Sequence, residues 1–141
     1  MTDKEKQILI ADLCARLPYG VKVSILGSDH MELKSVINST IGWFAFINGS
    51  PIDFSIDEVK PYLRPMSSMT EEEKKEVSIL LNYEFYIDDD CAVVAEDDRH
   101  RIRLDLMQVY IDWLNSNHFD YRGLIPIGLA LEAPEEMYNI K

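Results

Sequence analysis

The chain reads as an α+β protein: an N-terminal helix, a small antiparallel β-barrel-like sheet of about four or five strands, then a helical C-terminal half with a short β-hairpin. Three observations carry this reading. Apolar residues recur at helical spacing from Ile10 to Leu17 and again from Leu104 to Leu114. Between Val21 and Leu63 the apolar period drops to two, and clusters of Gly, Asn, Ser and Asp punctuate that region at short intervals.

Thr2 and Glu5 form a capping-box pattern, in which hydroxyl and carboxylate satisfy backbone N–H groups that a first helical turn leaves unpaired. The helix they open places Ile10, Leu13, Cys14 and Leu17 on one stripe and Asp3, Lys6 and Asp12 elsewhere, and Pro18 and Gly20 end it. Val21 to Leu26, Met31 to Ile37, Ile41 to Ile47 and Ile52 to Ile56 then read as strands, with Asn48-Gly49 the strongest hairpin signal. In the third run Trp43, Ala45 and Ile47 share one face while Phe44 and Phe46 share the other, so both faces call for cover. One face can line the barrel and the other pack on helices; the alternative is an aromatic patch exposed for a partner. Pro61 and Pro65 make Glu58 to Met69 a crossover rather than a helix or ladder.

A second capping box, Thr70 with Glu73, opens a helix to about Asn82, with Val77, Leu80 and Leu81 as its apolar side. Tyr83 to Ile87 and Cys91 to Ala95 flank Asp88, Asp89 and Asp90 as a hairpin with an acidic tip. A helix with Leu104, Met107, Ile111 and Leu114 on one face, widened by Leu106, Tyr110 and Trp113, is expected to be central to the core. Asp120 caps a short turn near Leu124 to Ile127 that Gly128 stops, and Leu129 to Tyr138 reads as irregular. The expectation is one compact unit over 1–141 with two sub-lobes, 1–65 and 66–141.

With 141 residues, 47% hydrophobic and 28% charged, the chain has enough apolar area to offset the entropy of ordering. Its formal net charge of -11 argues against direct nucleic-acid binding, because the basic run Arg99, His100, Arg101 and Arg103 directly follows a string of acids. Met1 to Lys6 is charged and no apolar run approaches the ~20 residues that span a bilayer, so no membrane association and a cytoplasmic location are expected. Cys14 and Cys91 lack the spacing of a zinc site or redox pair and read as buried thiols of a reducing compartment.

His30, His100 and His118 lie far apart, without a second ligand at helical spacing, so no metal site is expected, nor any cofactor: the glycines are too dispersed for a phosphate-binding loop. Clustered Asp88, Asp89 and Asp90 suit a hard cation but lack the spacing of a calcium loop. His118, Asp120 and Arg122 form the most site-like cluster, since an imidazole beside a carboxylate can be oriented as an acid or base. Their bland reading is a helix end whose polar groups bond to backbone.

Three stretches are distinctive: Leu13 to Val23 (LCARLPYGVKV), Val59 to Glu73 (VKPYLRPMSSMTEEE) and Phe119 to Tyr138 (FDYRGLIPIGLALEAPEEMY). They resemble a family of short uncharacterised proteins from gut Bacteroidales and their phages and mobile elements. That resemblance implies a bacterial or phage accessory protein and carries over no catalytic residue.

The leading expectation is a non-enzymatic protein-interaction module, a small barrel of the Src-homology or Tudor kind presenting Trp43, Phe44 or Tyr62 to a protein partner. The alternative is a small hydrolase or nucleotide-modifying enzyme using His118 and Asp120, with Arg122 holding an anion. A third is an acidic decoy for a nucleic-acid-binding protein, which rests on net charge alone.

Overall fold

A computed structural model describes residues 1–26, 31–48, 52–81, 85–89, 93–95 and 104–138. Both capping boxes form. Thr2 accepts from the Glu5 amide while Glu5 accepts from the Thr2 amide, opening α1 (Asp3–Arg16). Thr70 and Glu73 do the same for α2 (Glu71–Leu80).

The period-two region folds into β1 (Lys22–Ile25), β2 (Met31–Ser39), β3 (Gly42–Ile47), β4 (Asp53–Ser55) and β5 (Val59–Leu63). The hairpin strands are β6 (Phe85–Ile87) and β7 (Val93–Ala95), paired antiparallel; Asp90 and Cys91 at its tip lie outside the described residues. Next come α3 (Leu104–Ser116) and β8 (Leu131–Glu132), a strand inside the stretch expected to be irregular. The main sheet runs β4-β3-β2-β1-β5-β8, antiparallel except for the parallel β5–β8 pair.

The sheet is open, not closed into the expected barrel. Closure would require an outer strand to bond the strand at the other end. Instead, among the described residues β4 pairs with β3 alone, a 3₁₀ turn over Ile56–Glu58 carries the chain away, and the far side of β5 is taken by β8 from the C-terminal tail.

Pro61 stands inside β5, where the sequence suggested a crossover. The Leu26 amide donates to the Glu58 carbonyl, so hydrogen-bonded rungs between β1 and β5 fall at even positions of β5. Pro61, opposite Val23, therefore turns its missing N–H away from β1, and β8 pairs only from Tyr62 onward.

One face of the sheet builds the first core. Leu9, Ile10 and Leu13 of α1 pack with Val23, Ile25, Leu33, Ala45, Ile47, Val59 and Leu63. Leu124, Leu129 and Ala130 from the C-terminal segment join this cluster, so the boundary at residue 65 does not separate the two halves' side chains. A second core joins Met69, Val77, Leu81, Phe85 and Ile87 to Leu106, Tyr110, Trp113, Leu114 and Phe119. Of the expected apolar side of α2, Val77 and the C-capping Leu81 are buried, whereas Leu80, on the last helical turn, is exposed.

The buried stripe of α1 departs from the sequence reading in an informative way. Cys14 is exposed, whereas Asp12 and Arg16 are wholly buried beside Leu9 and Leu13. Two charges four residues apart on a helix can neutralise each other, which hydropathy counted residue by residue does not register.

Candidate functional site

The end of α3 brings the chain to the residues that looked most site-like. His118 adopts a left-handed backbone (φ 61), a conformation in which His, Asn and Asp are enriched. The turn reverses the chain so that Phe119 lies parallel to Arg64: the Arg64 amide donates to the His118 carbonyl and the Asp120 amide donates to the Arg64 carbonyl. Asp120 then accepts from the amides of Leu124 (2.8 Å) and Ile125 (2.9 Å), capping the following turn with both carboxylate oxygens.

Arg122 reaches elsewhere. Its Nη1 donates to Asp12 Oδ1 at 2.8 Å, and Arg16 Nε donates to the other oxygen of Asp12 at 2.9 Å. Arg16 Nη2 donates to the Phe119 carbonyl, and Tyr121 offers its ring to both guanidiniums. One buried carboxylate is thus clamped between two cations, tying α1 to residues 119–122. His118, Asp120 and Arg122, neighbours in sequence, therefore enter three different networks, and the structure does not assemble them as an acid–base set.

The His118 ring is buried and stacks on Tyr138, with centroids 3.8 Å apart. Its Nδ1 and the Arg16 Nη1 are buried and have no hydrogen-bond partner among the described residues. Burial, reinforced by the positive charges of Arg16, Arg64 and Lys22, pushes the imidazole down to about 4. At neutral pH the ring is uncharged, which removes it further from a role as a cationic acid.

Tyr138 explains why the C-terminal tail holds its place. The Lys22 amide donates to its hydroxyl (3.0 Å), which in turn donates to the Tyr62 carbonyl (2.6 Å). The hydroxyl is interposed where the next even rung of the β1–β5 ladder, Lys22 with Tyr62, would fall. Burial drives this hydroxyl's pKa well above the ordinary tyrosine range, so it stays protonated and able to donate. Lys22 Nζ adds a bond to the Met137 carbonyl.

The candidate binding aromatics do not share one surface. Trp43 faces the first core and packs against it. Phe44 lies on the opposite face with Phe46, paired across strands with Ile37 and Ser35 respectively. Phe44 and Phe46 are half-buried and Ile37 is 45% exposed, giving an apolar stripe across β2 and β3. Tyr62 is three strands away from β3, roughly 14 Å at ordinary strand spacing, beside β8.

A cleft of about 710 Å³ lies between the start of α2 and the tail after β8. The α2 wall contributes Glu71, Glu72 and Glu73, and the tail contributes Glu132 and Glu135. Arg64 also lines it, but its two terminal nitrogens are committed to Glu73 at 2.9 Å each, and its guanidinium lies over Phe119. Burial works to raise the Glu73 pKa; the Arg64 and Thr70 hydrogen bonds outweigh it and hold the carboxyl below its ordinary value.

No group of side chains suited to a metal ion is found among the described residues; His30, His100, Asp90 and Cys91 lie outside them. No helix among them is long and apolar enough to cross a membrane. No protein-family profile, curated protein or solved structure matches this chain. Sequence reasoning missed the Asp12–Arg16 pair, whose spacing of four on a helix was the available signal. It also missed the pairing of Arg64 with the capping Glu73, nine residues on, and Tyr138, whose partners Lys22 and Tyr62 lie far along the chain.

Proposed function

We propose that this chain is a non-enzymatic protein-interaction module that docks an apolar protein surface on the outer face of β2, β3 and β4. The observation that carries the reading is the stripe of Ile37, Phe44 and Phe46 on the face of the sheet opposite the core. Cross-strand pairing holds these side chains in fixed register on a rigid ladder, so little ordering entropy opposes binding. Exposed Ile41 in the β2–β3 turn and exposed Ile52 before β4 extend the apolar character toward both ends of the strip.

The hydrolase alternative is left without an acid–base pair, because both Asp120 oxygens hold backbone amides and Arg122 holds Asp12. An accessory role in gut Bacteroidales or their mobile elements, and a cytoplasmic location, go with the interaction reading. The exposed Cys14 thiol suits a reducing compartment.

Photo-crosslinking from position 44 in the native host tests the proposal, with a probe at exposed Glu76 on α2 as control. A discrete adduct from position 44 that disappears in the Ile37→Glu background is the expected result. Adducts equally frequent from position 76, or unaffected by Ile37→Glu, would overturn it.

A further inference from the structure

The cleft between α2 and the tail has a chemistry of its own, separate from the apolar stripe on β2 and β3. Its volume of about 710 Å³ falls within the range of ligand-binding clefts. Five glutamates line it, and Glu73 is neutralised by Arg64. Glu71 is joined to Lys74 at 3.4 Å, across an exposed carboxylate. Glu72, Glu132 and Glu135 are exposed and have no ion-pair or hydrogen-bond partner among the described residues. Between the carboxylates lie Pro65, Pro134 and the ring of Tyr138, apolar surface on which the stem of a long cationic side chain can lie.

A second observation concerns the main chain. The Ala133 amide donates to the Leu63 carbonyl, so in the parallel β5–β8 pair Leu131 and Ala133 turn their backbone groups toward β5. Glu132 between them therefore points its N–H and C=O away from β5, and β8 is the last strand of the sheet. This outward edge is one residue long, because Pro134 beyond it lacks an N–H and its carbonyl accepts from the Met137 amide; Glu132 thus offers an extended chain one main-chain donor and one acceptor, while the neighbouring cleft selects its side chains.

We propose that this cleft and the open edge of β8 together bind an extended protein segment rich in Lys or Arg. The charge identifies the occupant. A second copy of this chain, at formal net charge -11, would meet like charge here, whereas a basic segment meets carboxylates from two walls. The positive end of α2 does not reverse this preference, because the Thr70 cap and the acids of the first turn already satisfy and offset it. Glu132 and Glu135, on the opposite wall, act without that opposition.

The test is fluorescence anisotropy on the intact protein with a fluorescein-labelled Lys-Val-Lys-Val-Lys-Val peptide, its alternately N-methylated analogue, and spermidine as competitor. Glu72→Gln, Glu132→Gln and Glu135→Gln each weaken peptide binding roughly two- to fivefold, and the triple variant by about tenfold or more, the range of exposed ion pairs. Melting temperatures stay at the wild-type value for Glu132→Gln and Glu135→Gln, which are exposed and unpartnered among the described residues, and fall by about 1–3 °C for Glu72→Gln, which loses a charge in the first turn of α2. N-methylation weakens binding about fivefold or more at matched charge, the range of one or two lost main-chain hydrogen bonds, and spermidine competes only at far higher concentration. Ile37→Glu leaves peptide binding unchanged, which separates this site from the apolar face. Undiminished binding by the triple variant, an equal loss from Glu76→Gln outside the cleft, or spermidine displacing the peptide at equal concentration would each overturn the proposal.

Discussion

Replacing His118 by Asn tests how tightly the C-terminal turn is bound to the two cores, and the size of the effect follows from the burial of the ring. In the folded chain the imidazole titrates at about 4, against 6.5 for the unperturbed side chain. Above pH 6.5 both states are neutral and the group contributes nothing to pH dependence. Between 6.5 and 4 the unfolded chain binds a proton that the native chain refuses, so stability falls as pH falls; below 4 both states are charged and the slope vanishes. At about 1.4 kcal/mol per unit the whole window is worth about 3 kcal/mol, of which about 2 kcal/mol is lost between pH 7.5 and 5. Asn tolerates the left-handed backbone of position 118 but cannot titrate or stack on Tyr138. Urea unfolding at pH 7.5, 6 and 5 should show the variant less stable than wild type by about 1 kcal/mol at pH 7.5, the two about equal near pH 6, and the order reversed by about 1 kcal/mol at pH 5. Carboxylates and the other histidines titrate in both proteins and cancel in the difference. Parallel pH profiles for wild type and variant would refute the reasoning.

Three further outcomes follow from the same geometry. Tyr138→Phe keeps the ring stack but leaves the Lys22 amide and Tyr62 carbonyl without their bridging hydroxyl, at a cost of about 1–3 kcal/mol in denaturant unfolding and with faster hydrogen exchange at Lys22. Arg16→Met strands the buried Asp12 with Arg122 as its remaining ion-pair partner and should cost about 3–5 kcal/mol, while Asp12→Leu combined with Arg16→Met costs less; equal losses would dismiss the clamp. Arg64→Gln removes the pair that holds the Glu73 carboxyl down, so its NMR titration midpoint rises and stability at pH 7 drops by about 1.5–3 kcal/mol. The stability that Glu73 contributes in wild type is complete above the ordinary carboxylate value and is lost as pH falls through its lowered native value.

The parts of the fold visible beforehand are those whose physics is local. A hydroxyl and a carboxylate three residues apart close a capping box within one turn, and both boxes formed as read from Thr2–Glu5 and Thr70–Glu73. Strand periodicity from Lys22 to Ser55 is likewise a property of consecutive residues, as is the capping of the turn at Leu124 by Asp120. Pro61 shows where local reasoning stops: a proline is excluded from a strand only if its nitrogen faces a partner, and that depends on register with β1.

The sequence by itself determined the mixed α+β class, the helix starts and the two-faced third strand, because each follows from spacing within a few residues. Tertiary structure alone decided that the sheet stays open, since closure depended on whether β5 would meet β4 or a tail some seventy residues further on. It also decided that Asp12 is buried and that the Tyr138 hydroxyl completes a ladder between Lys22 and Tyr62. It spread His118, Asp120 and Arg122 among separate networks and gathered Glu72, Glu132 and Glu135 around one cleft. A charge can be buried, or left free to bind, only according to partners that the folded chain brings within reach, and those partners lie up to 116 residues away.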